Sequence, residues 1–488
     1  MKAVVAVPPV LDFYFTPSRA SALGAVSVDE LLKERGIETV LLNFPTLCAK
    51  PAKLELPPEL THLRDFIITG EHGPVSFFSN YKRFGPDFSG CAATIAAESP
   101  EILFISCFAW AYAEETVSLA AAVKALRPEI IITAGGSGVS VNPDYFEKAE
   151  PIDFVLTGEA EKVLPAFLEE QFGTGGGKAA REAPSFQINR TGYSERKNIQ
   201  YYSAILTRGC PKSCKFCSNH LVHGREFRKT PAEEVERKIR LLPGDANIHI
   251  NFEDDNLLFA KEYFVGILRM IRSRFPNASF SAENGLDYTL LDDVLLEELI
   301  EFGFRSFNLS MASTSQAMLR SQNRPADSDR LTAILHTLRK KKTASVTYFI
   351  CGLEGETPGA VVDNLTYLHH LPTLTGISLF YPVPGLPICT QDFNSLPPRL
   401  CAGSSAWPWT GSLATSQLLT AFRLARLSNL IKTSQGLVGS SFPAPACPEA
   451  ELLDIILSTG RLHTIKSRRI IEVHGMDNEM VTAFLAGI

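Results

Sequence analysis

The sequence predicts an α/β protein. An N-terminal doubly wound sheet is followed by a partial (β/α)6 barrel and a mainly helical C-terminal extension. Three observations carry this. Continuous Val/Ile/Leu runs of strand length recur through residues 1–160, as parallel strands buried on both faces require. A second series of such runs, alternating with helical patterns, fills residues 201–390. Beyond residue 390 the pattern changes, and proline breaks the chain at Pro397-Pro398 and from Pro443 to Pro448.

In the first module, residues 1–170, strands are expected at Ala3–Val7, Thr39–Leu42, Ile102–Ser106, Ile130–Thr133 and Phe154–Thr157. Ser27-Val28-Asp29-Glu30 reads as a capping box ahead of Leu31-Leu32, with Gly36 stopping the helix. Leu119, Val123 and Leu126 share one helix face, which Pro128 closes. Doubly wound folds bind ligands beyond the carboxyl ends of their strands. There lie Ser106-Cys107-Phe108-Ala109-Trp110, Ala134-Gly135-Gly136-Ser137-Gly138 and Gly158-Glu159-Ala160-Glu161. The glycine-rich loop is either a tight turn or a nucleotide cradle; G-x-G-x-x-G is absent, and the loop follows the fourth strand rather than the first. Residues 171–200, opening on Gly173-Thr174-Gly175-Gly176-Gly177, lack apolar periodicity and read as a linker.

In the second module, residues 201–390, strands are expected at Ser203–Leu206, Ile248–Phe252, Ala278–Ala282, Ser306–Leu309, Val346–Ile350 and Ile377–Phe380. Thr230-Pro231-Ala232-Glu233 reads as a capping box with proline at the first helical position, before a face of Val235, Ile239 and Leu242. Barrel sites lie at the C-terminal strand ends. The runs there are Glu253-Asp254-Asp255-Asn256, Glu283-Asn284-Gly285, Gly352-Leu353-Glu354-Gly355-Glu356-Thr357 and Pro382-Val383-Pro384-Gly385. The first is either a helix cap with solvent-facing acids or a partner for a bound ammonium. The extension, residues 391–488, places Leu419, Phe422 and Leu430 in a helix from Leu418 to Ile431 and sets Trp407 and Trp409 about Pro408. It reads as a cap over the open barrel or as a helical appendage.

Just after the first barrel strand, Cys210, Cys214 and Cys217 stand at the spacing C-x3-C-x2-C. Thiolates are preferred ligands of iron–sulfur clusters. Three of them leave one iron of a [4Fe–4S] cluster open, as in a catalytic metal site. A molecule with an amine and a carboxylate could chelate it. The competing readings are a zinc loop, with His220 or His223 as fourth ligand, and three unrelated buried thiols.

This motif, with Phe216 before the last cysteine, resembles the signature of the radical S-adenosylmethionine (SAM) superfamily. The resemblance implies a [4Fe–4S] cluster on the three cysteines and SAM chelating the open iron. It places Phe216 and Ile350 near the adenine, and Glu253, Asp254, Glu283, Ser310 and Arg324 among the groups that meet SAM, Arg324 either on its carboxylate or in a surface ion pair. The first module resembles the Rossmann-like cobalamin-binding domain found upstream of many radical SAM barrels, through Gly135, Gly136, Gly158 and Glu159. It departs from other cobalamin proteins in lacking D-x-H-x-x-G. Cobalamin contacts are then implied at Ser106, Phe108, Trp110, Gly135, Gly136, Ser137, Gly158 and Glu159, the two aromatics being core residues on the alternative reading. Together these imply a cobalamin-dependent radical SAM enzyme. Its expected reaction is methyl transfer from methylcobalamin to an unactivated carbon after hydrogen abstraction by a 5′-deoxyadenosyl radical. Alternatives are cyclisation or ring rearrangement, with or without cobalamin, and an iron–sulfur electron carrier or redox sensor.

The chain has 488 residues, 45% hydrophobic and 20% charged, with a net charge of −6. That composition suits a globular protein and opposes a phosphate-backbone interface. The basic run Lys466-Ser467-Arg468-Arg469 reads as a solvated helix face. The expected substrate is a small metabolite or peptide, without nucleic acid or membrane, and the expected electron donor is a flavodoxin or ferredoxin. The longest apolar run, Ile102 to Tyr112, is too short to span a bilayer. Ten cysteines, most of them scattered, point to a reducing cytoplasm rather than a disulfide framework.

Overall fold

A computed structural model describes residues 1–15, 21–48, 50–173, 183–244, 247–388, 395–438 and 447–488. The glycine tract after Gly173, Cys389 and the prolines from 443 to 446 lie outside them.

Five parallel strands form the N-terminal sheet: β1 (Lys2–Val7), β2 (Glu38–Asn43), β3 (Ile102–Ser106), β4 (Ile131–Gly135) and β5 (Phe154–Leu156), in the order β2-β1-β3-β4-β5. The order reverses between β1 and β3, which is where doubly wound folds open a crevice. Ala3 to Ala6 are wholly buried because both sheet faces are covered. The first helix spans Leu23–Lys33, so Ser27 lies inside it rather than at its cap. Ser27 is buried, and Asp29 turns to Lys33 at 2.7 Å. Packing of Leu23, Ala25 and Val26 extends the helix upstream of the expected cap. Leu119 and Val123 are buried as expected, whereas Leu126 is 53% exposed at its helix end. A small antiparallel sheet of Val10–Asp12, Tyr81–Phe84 and Ala52–Leu54 is added to the expected elements.

An antiparallel strand, β6 (Gln187–Ser194), pairs with the first barrel strand, β7 (Ile199–Ile205). It falls in the stretch expected to be a linker. Its polar sequence carries no apolar alternation because it is an edge strand held by backbone pairing. Parallel strands β8 (Asn247–Phe252), β9 (Ser279–Ser281), β10 (Ser306–Ala312), β11 (Ala344–Cys351) and β12 (Leu374–Leu379) follow in sequence order. Parallel bridges Phe280–Phe304 and Leu286–Leu309 join the two halves of this series. The helix after β7 starts at Ala232, not at Pro231, and Thr230 Oγ1 caps nothing: it is buried without a partner.

The extension is mainly helical. Its 20-residue helix Thr415–Ser434 packs on β12 and on the helix Pro358–His369. It also contains a hairpin, β13 (His463–Lys466) and β14 (Arg469–Glu472), whose β13 pairs with Glu71–His72 of the N-terminal module. The basic run is the turn of this hairpin, with Ser467 at φ 48 and Arg468 at φ 67, and not a helix face. Trp409 is buried and Trp407 lies edge-on to His62 at 4.9 Å. Among the described residues no helix is long and apolar enough to cross a membrane.

Candidate functional site

The loop after β7 is held from below by Asp254. This buried carboxylate accepts the Leu206 N–H at 3.1 Å, the Thr207 N–H at 2.7 Å and the Thr207 hydroxyl at 2.6 Å. Burial pushes it up to about 7, against the pull of Thr207 and Arg208. Asp254 thus buckles the start of the cysteine loop from the wall of the pocket that the cysteines line. Gly209 follows at φ +79, and a Cβ there would meet the Glu226 carbonyl at 2.1 Å, so only glycine fits the turn.

Cys210, Cys214 and Cys217 line one pocket of ≈ 710 Å³ at the C-terminal strand ends. Asn256 Nδ2 lies 3.5 Å from Cys210 Sγ, and Arg324 Nη1 lies 3.9 Å from Cys214 Sγ. Burial pushes the Cys217 thiol up. Among the described residues no three His, Cys, Asp or Glu side chains converge on one ion. A zinc site needs all its ligands within about 2.3 Å of one centre. An iron–sulfur cube takes each thiolate on a different iron. The two histidines of the zinc reading are held elsewhere: His220 Nδ1 on the Cys217 carbonyl at 3.1 Å and His223 Nδ1 on Glu159 at 2.9 Å. The donor set fits a cluster.

Phe216, Glu283, Ser310, Arg324 and Ile350 line the same pocket. Arg324 Nη2 donates to the Ser310 carbonyl at 3.0 Å. Glu253 does not join them, because its Oε2 accepts the Ser21 hydroxyl of the N-terminal module at 2.9 Å. Asp255, Asn256 and Asn284, from the strand-end runs, also line the pocket, as do Tyr348 and Tyr381, which were not anticipated. Glu356, in the turn after β11, accepts the Gly352 N–H at 2.6 Å and holds that turn closed.

At the N-terminal strand ends Ser106, Gly135, Gly136, Ser137, Gly158 and Glu159 line a cavity of ≈ 190 Å³, all of them anticipated. Gly136 has φ +104, and its Cβ would stand 2.6 Å from the Cys107 carbonyl; a Cβ on Gly138 would meet Cys107 Sγ at 2.5 Å. The loop therefore rides directly on the end of β3. Glu159 is committed to a clasp. It accepts Arg228 at 2.7 and 2.8 Å, His223 at 2.9 Å and Lys162 at 2.9 Å. Trp110 is core, its ring 5.1 Å from Tyr145, whereas Phe108 is 41% exposed.

A third cavity, of ≈ 630 Å³, lies between these two. It shares Ser137, Val222 and His223 with the strand-end cavity. It shares Cys217, Asn219, Asp255, Ser378 and Tyr381 with the cysteine pocket. Phe108 and Trp110 line it from the N-terminal module, and Ser404 and Phe422 from the extension. The three spaces thus adjoin one another through shared wall residues, from the sheet to the thiols.

Comparison with known proteins matches residues 204–368 to the radical SAM superfamily and residues 86–168 to the B12 binding domain. Bacteriochlorophyllide d C-12(1)-methyltransferase of Chlorobaculum tepidum is 24% identical over 214 residues, 42% of this chain and 45% of the relative. The cobalamin-dependent radical SAM methyltransferase TokK of Streptomyces tokunonensis is 24% identical over 310 residues, 54% of this chain and 44% of its own. The chain spans about half the length of these relatives. The radical SAM methyltransferase TsrM from Kitasatospora setae, solved with cobalamin and a [4Fe-4S] cluster, shares the fold at TM-score 0.54 and 16% identity, over 79% of this chain and 76% of that one. OxsB, solved with aqua-cobalamin and SAM, does so at TM-score 0.52 and 12% identity, over 77% and 53%. With a segment that matches the B12 binding domain followed by one that matches the radical SAM superfamily, and cavities that share walls between them, the chain carries the two modules that cobalamin-dependent radical SAM enzymes combine.

Proposed function

We propose that the protein is a cobalamin-dependent radical SAM methyltransferase that methylates an unactivated carbon of a small metabolite or peptide. The observation that carries this reading is the middle cavity, which touches both the cysteine pocket and the glycine-lined strand ends. When bound, the cluster with SAM supplies hydrogen abstraction and cobalamin supplies the methyl group. An unactivated carbon has no lone pair to attack a methyl donor, so both kinds of chemistry must reach one substrate.

The chain's own residues have distinct tasks. Cys210, Cys214 and Cys217 would hold the cluster. Arg324, fixed on Ser310, presents a guanidinium suited to the SAM carboxylate. Phe216 and Ile350 offer apolar faces to the adenine, with Glu283 and Ser310 as polar neighbours. Ser106, Gly135, Gly136, Ser137 and Gly158 would hold one part of the corrinoid in a cavity of ≈ 190 Å³, and the larger cavity beside it, lined by Phe108 and Trp110, would take the rest. Ser404 and Phe422 of the extension line one wall of the middle cavity and would help to limit water there. A flavodoxin or ferredoxin of a reducing cytoplasm is the proposed electron source.

Anaerobic reconstitution followed by SAM and a reductant tests this, with 5′-deoxyadenosine as the product to be measured. Its formation is expected, and its absence from cluster-loaded protein would overturn the enzyme reading. Separately, protein mixed with hydroxocobalamin and desalted should stay coloured; a colourless protein removes cobalamin from the proposal.

A further inference from the structure

One histidine borders both cavities that the corrinoid would occupy. His223 lines the strand-end cavity and the middle cavity together. All ten histidines of the chain are among the described residues, and no other lines either space. The stretch between β1 and the first helix, residues 8–22, contains no histidine. The fold instead brings one from just past the cysteine loop, at the end of the short helix Asn219–His223.

The ring is held in one orientation. Its Nδ1 lies 2.9 Å from Glu159 Oε1. Burial raises the Glu159 carboxyl, but hydrogen bonds from His223, Arg228 and Lys162 outweigh it and keep the group ionised. An ionised carboxylate can only accept, so Nδ1 carries the proton. In the neutral ring the lone pair then sits on Nε2. The main chain is fixed as well. Arg228 Nη2 donates to the His223 carbonyl at 2.9 Å, while both arms of the same guanidinium grip Glu159. Nε2 has no hydrogen-bond partner among the described residues.

These are the features of a metal-binding imidazole. A carboxylate behind one ring nitrogen fixes the tautomer, aims the ring and raises the basicity of the other nitrogen. Neutral imidazole suits the later first-row transition metals, cobalt among them. Charge alone does not call for a histidine here, because Arg228 and Lys162 already neutralise Glu159 at 2.7 and 2.9 Å. Of the acids that line the middle cavity, Asp12 is taken by the Tyr112 and Ser404 hydroxyls, and Asp255 forms no ion pair with His223 among the described residues.

We propose that His223 is an axial ligand of the corrinoid cobalt, through Nε2, with Glu159 as the carboxylate that orients it. The proposal rests on the reading that the first module binds a corrinoid, and it names the nitrogen donor that the stretch after β1 lacks. The coordinate bond forms as Nε2 gives its lone pair to cobalt and a water leaves, with no change of oxidation state. The methyl group keeps the opposite axial place. Because His223 stands one short helix past Cys217, the same segment of chain would position the cobalt and hold the cluster.

The test uses protein loaded with hydroxocobalamin, desalted and reduced to the cobalt(II) state. Electron paramagnetic resonance is recorded on ordinary protein and on protein whose histidine carries the heavy nitrogen isotope. An axial nitrogen of the ordinary isotope splits each cobalt line into a triplet, and the heavy isotope splits it into a doublet. Doublets are expected in the labelled protein. Labelled His223→Ala should lose them, and unlabelled imidazole added to it should give triplets. The labelled wild type decides the matter even where His223→Ala does not fold. Triplets unchanged by the label would assign the axial nitrogen to the corrinoid's own base, and lines without nitrogen splitting would leave that place to water. Either result overturns the proposal, as do doublets that survive in labelled His223→Ala. Loss of colour on desalting removes the corrinoid reading and this proposal with it, whereas retained colour with the wrong splitting removes this proposal alone.

Discussion

Glu159 receives both arms of the Arg228 guanidinium, at 2.7 and 2.8 Å, and fastens the loop after β5 to the segment just past the three cysteines. Burial raises its carboxyl, but hydrogen bonds from His223, Arg228 and Lys162 prevail and hold it well below the usual range. A carboxyl depressed in the folded state stabilises above its unfolded value, near pH 4.3, and that contribution disappears as pH falls through the folded value. Glu159→Gln should therefore cost about 3 kcal/mol at neutral pH. The gap from wild type should close in acid, as thermal melts across pH would show. A constant gap would mean that charge is not its origin.

Arg423 and Glu71 form a second tie, at 2.5 and 3.1 Å, with neither side chain exposed. Removing one member leaves an uncompensated buried charge. Arg423→Met should destabilise by about 3–5 kcal/mol in urea unfolding, and adding Glu71→Leu should restore part of the loss.

Glu115 is buried with neither carboxylate oxygen partnered outside its own residue, and burial pushes it up to about 8. The folded state keeps a proton that the unfolded chain releases between pH 4.5 and about 8, so wild type loses stability as pH rises through that window. Glu115→Met should flatten this slope and leave the variant more stable at alkaline pH by up to about 4 kcal/mol. Parallel slopes for the two proteins would show the carboxylate to be hydrated.

Alanine at Cys210, Cys214 or Cys217 should remove most of the reconstituted iron and visible absorbance. Cys351→Ala, a buried thiol away from the pocket, should leave both intact. Full iron content in Cys214→Ala would show the ligands to be others.

Gly24 lines the strand-end cavity, where a Cβ would meet only Ser106 Oγ, at 4.0 Å. Gly24→Leu should fill that space, abolish hydroxocobalamin retention and leave the iron content unchanged. Retained colour would place the corrinoid elsewhere.

The strands of both sheets were legible because burial on two faces leaves unbroken apolar runs, as in β1 and β3. Val10–Asp12 and Gln187–Ser194 were not, since short or edge strands rest on backbone pairing that side chains do not report. The cysteine spacing marked three side chains that line one pocket. The run Glu253-Asp254-Asp255-Asn256 marked a place but not a direction. Neighbouring side chains leave a strand end in different directions, so Asp254 turns under the cysteine loop while Asp255 opens to the cavities. Glu159 was expected to face a cofactor; its partners His223 and Arg228 lie 64 and 69 residues away, beyond any local pattern.

The shared walls of the middle cavity act as a stopper seat. A molecule that fills the space touches walls of both neighbouring cavities at once, so a substitution in a shared wall alters two of them together.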